Sequence, residues 1–494
     1  MHTALLLEMT AEAFAERPAV GPAHDPVSYG ELLARARAAA AWLGGFEAET
    51  IAYLGLNSPD LPAALFASGL LGRPFAPLNY RLPDPDLRRI LARTAPSVVI
   101  VDDDMVARAQ GIEGVTVVPR TAFAAACADP RHRAAETPPA DPDIAVLLFT
   151  SGTTGEPKAA ILRHRHLTAY VLSTVEFMGA EEGEAALVSV PPYHIAGISA
   201  VLTNVYGGRR IVHLAAFTPE TWVEAAAREA ITHAMVVPTM LGRILDVMEA
   251  SGQALPALRA LSYGGGRMPP AVIERALRLL PQVNFVNAYG LTETSSTIAV
   301  LGPEDHHAAR AGDAQAMRRL ASVGRPLPGL EVEIRGPDGL PVPVGSSGEV
   351  CVRGDQISGE YVGKKLVGED GWFHTRDAGF LDQDGYLFLE GRMDDVIVRG
   401  GENISPGEIE DVLRQHPAVA DVAVLGVPDD EWGEQVAAVV VARGDADPEA
   451  LKAFVRERLR STKVPGQIRF QPELPYNETG KLLRRVLKAQ FIGG

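Results

Sequence analysis

The segment 150–158 carries the densest set of candidate phosphate-binding groups in the sequence. It reads Thr-Ser-Gly-Thr-Thr-Gly-Glu-Pro-Lys and follows an apolar run, 144–149, that predicts a buried strand. The glycines allow tight turns in which successive backbone N–H groups converge on phosphate oxygens, and the hydroxyls and the lysine add donors and charge. A polar surface turn is the weaker interpretation, and the Walker A pattern is absent. The predicted phosphate-binding residues are Thr150, Ser151, Gly152, Thr153, Thr154, Gly155 and Lys158.

This segment resembles the phosphate-loop signature of the acyl-adenylate-forming superfamily, which contains acyl-CoA synthetases, peptide-synthetase adenylation domains and luciferases. Further segments resemble motifs of the same superfamily, in the family's order and over nearly the full chain. The resemblance is closest to bacterial acyl-CoA synthetases, including aryl- and fatty-acid–CoA ligases. These segments are 262–269, 287–294, 372–377, 391–395 and 478–481.

The segment 287–294 is similar to the second nucleotide motif of the family. Its Tyr-Gly-x-Thr-Glu pattern is specific to the family. The pattern supplies a ring to stack on adenine, a hydroxyl for the α-phosphate and a carboxylate for Mg²⁺. The resemblance assigns adenine stacking to Tyr289, catalysis to Thr292, and catalysis and metal binding to Glu293. The glycine-rich segment 262–269 resembles the wall between adenine and acyl pocket. The remaining nucleotide-binding residues that these motifs imply are Gly265, Asn287, Ala288 and Gly290.

The later motifs imply a ribose site, a hinge and a catalytic lysine. Asp377 would hold the ribose hydroxyls, which suits a carboxylate because its oxygens accept several hydrogen bonds. The preceding residue is Arg376, where the family has glycine. Arg392 would also contact the ribose, and Asp394 would be the pivot of a domain rotation. Lys481 would be the catalytic lysine that clamps the substrate carboxylate.

Further residues match family positions that bind coenzyme A, which would accept the acyl group after the acyl-AMP has formed. Gly401, in Gly-Gly-Glu-Asn-Ile, resembles the strand that lines the pantetheine tunnel of acyl-CoA ligases, where paired glycines suit close passage of an extended chain. Trp432 matches a position that stacks on the CoA adenine in aryl-CoA ligases, although a structural role is equally consistent. His194, in Pro-Pro-Tyr-His, matches the aromatic gate between acyl and thiol tunnels. It is placed in the catalytic set, with a steric role rather than that of a base.

The acyl pocket is inferred by analogy with the family. Tyr263 among small residues suggests an aryl or medium-length acid, and no aspartate is recognised at the usual amino-acid-binding position. The residues expected to line the pocket are His194, Val237, Pro238, Tyr263, Gly264, Ala288 and Thr294.

The elements that must position these groups follow an α/β pattern. Apolar runs alternate with amphipathic helical patterns over the first 320 residues, which favours mostly parallel sheets. We expect a large N-terminal AMP-binding domain (1–391) of stacked sheets with helices, including a small β subdomain from about residue 324. A small mobile α+β C-terminal domain (392–494) should follow. Ser28 with Glu31, and Ser405 with Glu408, each predict a capping box at a helix start.

Composition sets the general class. With 494 residues, 47% apolar and 22% charged, the chain is typical of a soluble globular protein. A net charge of −16 disfavours nucleic acid and anionic membranes as partners. No signal peptide or membrane span is recognised, so a cytoplasmic location is the default. Cys127 and Cys351, far apart in sequence, are expected to be buried small hydrophobes rather than a disulfide or a metal pair.

Together these features predict an ATP- and Mg²⁺-dependent ligase. It would form an acyl-AMP from a small-molecule acid, release pyrophosphate and transfer the acyl group to coenzyme A. Three alternatives remain open: a carrier-protein ligase, an amine-accepting ligase, and an enzyme that adenylates nitrite and acts on an arylamine as a diazotase. A non-enzymatic ATP-binding regulator is disfavoured because the charged motif residues are all present. The oligomeric state is open, and a homodimer is compatible with the sequence.

Overall fold

The computed structural model describes residues 1–132, 143–150, 158–400, 402–429, 431–476 and 482–492. The predicted site residues 151–155, Gly401 and Lys481 lie outside these ranges, and for Thr150 only the backbone is described. Within the described ranges, no helix is both long enough and apolar enough to cross a bilayer.

The helices alternate with strands through most of the chain. They are α1 (Ala4–Ala13), α2 (Tyr29–Gly44), α3 (Leu61–Leu71), α4 (Asp84–Thr94), α5 (Val106–Ala109), α6 (Arg120–Ala128), α7 (His164–Thr174), α8 (Ile195–Gly207), α9 (Pro219–Arg228), α10 (Pro238–Ser251), α11 (Pro270–Leu279), α12 (Pro303–Arg310), α13 (Ala314–Arg319), α14 (Pro406–Arg414), α15 (Pro448–Arg456) and α16 (Arg484–Ile492).

The strands of the described residues form four sheets. They are β1 (Pro18–Val20), β2 (Val27–Ser28), β3 (Thr50–Leu54), β4 (Phe75–Pro77), β5 (Ser97–Val101), β6 (Val115–Pro119), β7 (Ile144–Thr150), β8 (Lys158–Arg163), β9 (Ala185–Val188), β10 (Arg210–His213), β11 (His233–Val236), β12 (Ala260–Gly264), β13 (Asn284–Leu291), β14 (Ser296–Leu301), β15 (Arg325–Pro326), β16 (Glu331–Arg335), β17 (Gly348–Arg353), β18 (Glu360–Tyr361), β19 (Lys364–Lys365), β20 (Phe373–Leu381), β21 (Leu387–Arg392), β22 (Ile397–Arg399), β23 (Glu402–Ile404), β24 (Val419–Asp429), β25 (Gly433–Ala442) and β26 (Gln467–Phe470).

Two large sheets build the N-terminal part. One has the order β19-β18-β8-β7-β4-β3-β5-β6; it is antiparallel from β19 to β7 and parallel from β7 to β6. The other has the order β15-β14-β13-β12-β11-β9-β10-β1-β2; it is parallel from β13 to β1 and antiparallel at both ends. Helices α1, α2, α3 and α8 contribute buried residues to a core that also includes strands of both sheets. This arrangement confirms the predicted fold class, since parallel strands need helical crossovers that cover their faces.

The two smaller sheets correspond to the predicted β subdomain and to the predicted α+β C-terminal part. The β subdomain is the four-stranded antiparallel sheet β16-β17-β20-β21. After it, β22–β26 form a separate sheet covered by α14, α15 and α16. The core of this C-terminal unit consists, within the described ranges, of residues from Ile397 onward.

One of the two predicted capping boxes is wrong. Ser28 and Glu31 form theirs at the start of α2. The Ser405 hydroxyl instead donates to the carbonyl of Glu390 at 2.6 Å, and Glu408 pairs with Lys463. A tertiary contact has therefore replaced the local cap, and the same contact fastens the start of α14 to strand β21.

Candidate active site

The phosphate segment lies on the hairpin formed by β7 and β8. These strands are antiparallel, and the register pairs Thr150 with Lys158 directly across the hairpin. The predicted strand before the motif is confirmed, with Ala145, Val146 and Leu148 buried. The segment 151–157 that joins the two strands is outside the described residues, so its phosphate contacts stay a prediction. Lys158 begins β8 with an exposed side chain.

Three predicted nucleotide residues from distant segments meet at one point. The Tyr289 hydroxyl donates to Asp377 Oδ2 at 2.5 Å, and Arg392 Nη1 donates to Asp377 Oδ1 at 2.8 Å. Arg392 Nη1 also reaches the carbonyl oxygen of Thr375 at 3.1 Å. Tyr289 and Asp377 are separated by 88 positions in the chain, so the fold brings the cluster together.

Burial makes this cluster electrostatically strong. Asp377 is 7% exposed and accepts from both partners, which satisfies a carboxylate that would otherwise be costly to bury. Burial, followed by the negative charge of Asp377, raises the pKa of Tyr289 well above its usual value, so the phenol stays protonated. Burial acts to lower the pKa of Arg392, but attraction to Asp377 outweighs it and the pKa is raised. The cluster is a preorganised hydrogen-bonding site.

Glu293 lies in the short turn Thr292–Thr294 and is held at both its backbone and its side chain. Its carbonyl oxygen accepts from the N–H groups of Ser358 and Gly359 at 2.9 and 2.8 Å. Its carboxylate accepts from the hydroxyl of Tyr361 on β18. Sequence reasoning missed Tyr361, because no motif marks a tyrosine that lies 68 positions away. This clamp gives the carboxylate a fixed direction.

Close backbone packing explains the glycine-rich wall. A Cβ atom on Gly264 would lie 2.2 Å from the carbonyl oxygen of Ala288 on the neighbouring strand, so only glycine fits. Gly265 has a φ of +76°, a left-handed conformation that glycine adopts without strain. A Cβ there would be 3.6 Å from the Val237 side chain, and one on Gly266 would be 3.9 Å from Pro238. The structure thus places the predicted wall residues beside one another.

The predicted gate residue His194 precedes helix α8. Its ring lies 4.6 Å from that of Tyr193, which in turn makes an edge contact with Tyr80. Burial, and then the charge of Arg81, lower the pKa of His194 to about 4. The imidazole is therefore neutral near pH 7, which is consistent with a steric role. Gly197 allows the turn, because a Cβ atom there would lie 2.7 Å from the carbonyl oxygen of Pro191.

Some predicted site side chains are directed elsewhere, and Tyr263 is the clearest case. Its side chain is fully buried, and its hydroxyl is 2.8 Å from His306 Nε2, so it belongs to the packed core and not to a pocket wall. The predicted pocket residue Thr294 is also fully buried, with its hydroxyl bonded to backbone groups of Leu291 and Ser296. The Asn287 amide donates to the carbonyl of Ser322 at 3.0 Å. These side chains stabilise the site's framework.

Arg376 takes a backbone conformation that explains glycine at this position in the family. Its φ is +63°, in the left-handed region that non-glycine residues rarely adopt. The Glu349 carboxylate accepts its N–H at 3.0 Å, and its guanidinium donates to Asp394 at 2.6 Å. An ion pair therefore joins the position before Asp377 to the predicted hinge residue.

The C-terminal unit contacts the glycine-rich segment through α14. Arg267 pairs with Asp411, and a Cβ atom on Gly407 would collide with the Arg267 guanidinium. Elsewhere on this unit, the Trp432 ring lies against Gly400, where a Cβ would come within 2.8 Å of it, and leaves 46% of the residue exposed. Trp432 thus combines a structural contact with a ring surface open to solvent. Gly401 and Lys481 are outside the described residues.

Comparisons with known proteins identify the family of the chain. The model of the AMP-binding enzyme family matches residues 7–362, and that of the AMP-binding enzyme C-terminal domain matches residues 408–481. The chain belongs to the AMP-binding enzyme family, within the class I adenylate-forming superfamily that its motifs resemble.

Curated relatives include ligases with different acceptors. The chain is 35% identical over 464 residues to a fatty acid–[acyl-carrier-protein] ligase of Streptomyces coeruleorubidus, covering 90% of this chain and 87% of that protein. It is also 35% identical over 455 residues to a feruloyl-CoA synthase of an Amycolatopsis species, covering 90% and 89% of the two proteins.

Solved structures of similar proteins share the fold over their whole length. An o-succinylbenzoate–CoA synthetase of Bacillus subtilis, in complex with ATP and magnesium, superposes with a TM-score of 0.84 at 28% identity, covering 98% of this chain and 99% of that one. An amide bond synthetase of Marinactinospora thermotolerans gives a TM-score of 0.85 at 28% identity, covering 99% of this chain and 99% of that one.

Proposed function

We propose that this protein uses ATP to activate a carboxylic acid as its acyl-AMP, releases pyrophosphate, and transfers the acyl group to the thiol of coenzyme A. The observation that carries the proposal is the cluster of Tyr289, Asp377 and Arg392, which offers a buried carboxylate and a cation at one point. Relatives named as CoA ligases support the thiol acceptor.

The first half-reaction requires charge compensation, because the attacking carboxylate and the α-phosphate are both anions. Two unit charges about 4 Å apart repel by about 4 kcal/mol at an effective dielectric constant near 20. In this proposal Asp377 and Arg392 hold the ribose, so that the α-phosphate is presented at a fixed place. Lys158, at the start of β8, and the predicted loop before it bind the leaving pyrophosphate. Lys481 clamps the substrate carboxylate. No covalent protein nucleophile is needed.

The residues around Glu293 fit a magnesium ion. Magnesium prefers oxygen ligands such as the Glu293 carboxylate. The Tyr361 hydroxyl holds this carboxylate, and the N–H groups of residues 358 and 359 hold the Glu293 backbone carbonyl. Bound there, the ion would supply charge neutralisation for the triphosphate. Thr292, one residue earlier in the same turn, is the proposed hydroxyl for the α-phosphate.

The second half-reaction uses the C-terminal unit in this proposal. Gly401 lines the path of the pantetheine arm, Trp432 stacks on the CoA adenine, and His194 separates the acyl and thiol paths. The ring of Trp432 is half-exposed and packs with one side against Gly400, which favours stacking on the CoA adenine. A carrier-protein thiol is the second candidate acceptor, because one relative with 35% identity is named as an acyl-carrier-protein ligase.

We also propose that the domain boundary lies at residues 391–392 and that Asp394 is the pivot. Strand β21 ends at Arg392, and the C-terminal core begins at Ile397. The intervening residues form a local turn, in which the N–H groups of Asp395 and Val396 donate to the carbonyl of Arg392 at 2.9 and 3.1 Å. A short connection between two separate cores is the expected place for a hinge.

AMP release across a panel of acids tests both the reaction and its acceptor. The panel contains aryl acids, fatty acids and nitrite, each assayed with and without CoA, an acyl-carrier protein or an arylamine. The proposal expects AMP formation that requires an organic acid and Mg²⁺ and is stimulated at least tenfold by CoA. If only the carrier protein or only the amine stimulates AMP release, that compound and not CoA is the acceptor. Acid-independent ATP hydrolysis would contradict the proposed reaction.

A further inference from the structure

A cysteine, a histidine and a glutamate lie together on the four-stranded sheet of the β subdomain. Glu349 and Cys351 are two positions apart on β17 and therefore face the same side, and His374 on β20 is the direct cross-strand partner of Cys351. Cys351 Sγ is 3.4 Å from His374 Nδ1, which is 2.9 Å from Glu349 Oε2. All the potential ligand atoms lie within 4.8 Å of one another.

These distances suit a small divalent cation. Zinc binds sulfur at about 2.3 Å and imidazole nitrogen or carboxylate oxygen at about 2.0–2.2 Å, so tetrahedral ligands are roughly 3.3–3.6 Å apart. His374 Nδ1 lies 3.4 Å from Cys351 Sγ and 2.9 Å from Glu349 Oε2, and these separations need only a few tenths of an ångström of adjustment. The Cys351 sulfur and the Glu349 oxygen lie within 4.8 Å of each other, and metal binding would draw them together by up to about 1.2 Å. Thiolate with imidazole is a donor set that selects zinc over magnesium or calcium.

The cysteine end of the site is buried, and the histidine end is open to solvent. Cys351 is fully buried, whereas the side chains of His374 and Glu349 are 42% and 20% exposed. An ion could therefore enter from the imidazole side, with sulfur as the inner ligand. On the other neighbouring strand, Glu333 pairs with Cys351 in register and binds Arg335, whose charge is also shared with Asp370.

The thiol is protonated when no metal is bound. Burial, and then the charge of Glu349, raise the pKa of Cys351 to about 12. Metal binding would form the sulfur–metal bond and release one proton from Sγ to solvent, while the imidazole moves its proton to Nε2. The balance needs no oxidant or reductant.

We propose that Glu349, Cys351 and His374 form a zinc-binding site with a water molecule as the fourth ligand. The site is separate from Glu293 and is not required by the proposed reaction. It is, however, joined to the nucleotide region: Thr375 and Asp377 follow His374, and the second Glu349 oxygen accepts the N–H of Arg376. Bound zinc would cross-link β17 to β20 at the irregularity in register that presents Asp377.

The test is direct metal binding to the full chain, with affinity tags removed and metals stripped by a chelator. Equilibrium dialysis with Zn²⁺ should give one tightly bound equivalent, and Co²⁺ should give a near-ultraviolet thiolate-to-metal charge-transfer band. Cys351→Ser should abolish that band and weaken zinc binding at least tenfold. His374→Ala should also weaken zinc binding at least tenfold, while Cys127→Ser, which changes the other buried cysteine, should leave both signals intact.

Unfolding curves establish that each variant is folded, and Glu349→Gln replaces Cys351→Ser if the latter does not fold. Three results would overturn the proposal: no stoichiometric zinc in the wild-type protein, zinc binding unchanged in His374→Ala and Glu349→Gln, or a cobalt–thiolate band that is lost in Cys127→Ser and kept in Cys351→Ser. Because these readouts do not involve ATP, they are independent of the outcome for the proposed ligase activity.

Discussion

At the scale of single residues, the site depends on how buried charges are satisfied. Asp377 is 7% exposed and accepts from Tyr289 and Arg392, so a nucleotide ribose would meet a carboxylate whose orientation is already fixed. Glu293 is likewise held by Tyr361. In both cases the partner of the functional carboxylate comes from another part of the sheet framework, and the orientation is set before any ligand arrives.

Asp377→Asn should weaken ATP binding strongly. The amide cannot accept from both Tyr289 and Arg392 and bind a ribose hydroxyl in the same geometry, and hydrogen bonds to charged groups contribute about 1.5–3 kcal/mol each. We expect a roughly ten- to hundredfold increase in the dissociation constant for ATP, measured by calorimetry. Glu331→Gln, which removes an exposed ion pair with Arg353, is the control and should leave ATP binding unchanged. Unaltered affinity in Asp377→Asn would contradict the assigned ribose contact.

Tyr361→Phe should change the dependence on magnesium. Removing the hydroxyl leaves the Glu293 carboxylate without its orienting donor, and losses of this kind typically weaken a metal site by about 10–100-fold. The measurement is the half-saturating Mg²⁺ concentration at saturating ATP, for wild type and variant. Tyr386→Phe, which removes a similar tyrosine–carboxylate bond to Asp305, should not alter it. Equal magnesium curves for the two variants would show that Tyr361 does not position a metal ligand.

At the scale of elements, close strand packing decides where side chains can lie. Strands β12 and β13 come so near at Gly264 that its missing side chain makes room for the Ala288 carbonyl. At Gly266, two residues later, the described part of the chain places only Pro238 within 4 Å of an added Cβ, at 3.9 Å. Two glycines of the same motif therefore have different structural roles.

A matched pair of substitutions tests this difference. Gly264→Ala should lower the melting temperature by several degrees and impair acid activation, because a Cβ at 2.2 Å from a carbonyl oxygen forces the strands apart. Gly266→Ala should stay close to wild type in stability. Thermal unfolding of both variants is the measurement. If the two alanines destabilise equally, backbone approach at Gly264 is not the cause.

The sequence motifs predicted where the secondary-structure elements and the charged site residues lie. They predicted less well the directions in which the neighbouring side chains point. The strand before the phosphate segment and the capping box at Ser28 follow from local patterns. The meeting of Asp377 with Arg392 follows from the family resemblance, which implies that both contact the ribose. Tyr263 could not be placed in the same way. Neighbouring strand residues point to opposite faces, so a contiguous motif mixes pocket-facing and core-facing side chains. Tyr361 was missed because its contact with Glu293 depends on sheet pairing alone.

At the scale of the whole molecule, the proposed mechanism requires the C-terminal unit to present different residues in the two half-reactions. In the structure α14 holds this unit at two places: Arg267 of the glycine-rich segment pairs with Asp411, and Ser405 donates to the carbonyl of Glu390 on β21. The proposed hinge carries a further ion pair, between Arg376 and Asp394, with both side chains largely exposed. Exposed pairs contribute little stability, which suits a contact that must break and reform.

Asp394→Pro should separate the two half-reactions. Proline fixes φ near −65° at the proposed pivot, so rotation of the C-terminal unit is restricted. We expect pyrophosphate release in a single turnover close to that of wild type and thioester formation slowed at least tenfold. Asp394→Ala removes the Arg376 pair but keeps the backbone free, and its thioester formation should be nearly unchanged. An equal effect of both variants on both steps would exclude Asp394 as the pivot.

The most direct test of the central claim is acid-dependent exchange of labelled pyrophosphate into ATP, because it reports acyl-AMP formation whatever the acceptor. With Mg²⁺ and a panel of aryl and fatty acids, the wild-type protein should catalyse exchange that depends on one class of acid and that falls at least tenfold in Asp377→Asn. Absence of exchange with every acid, despite measured ATP binding, would contradict the assignment of carboxylic acid activation to this site.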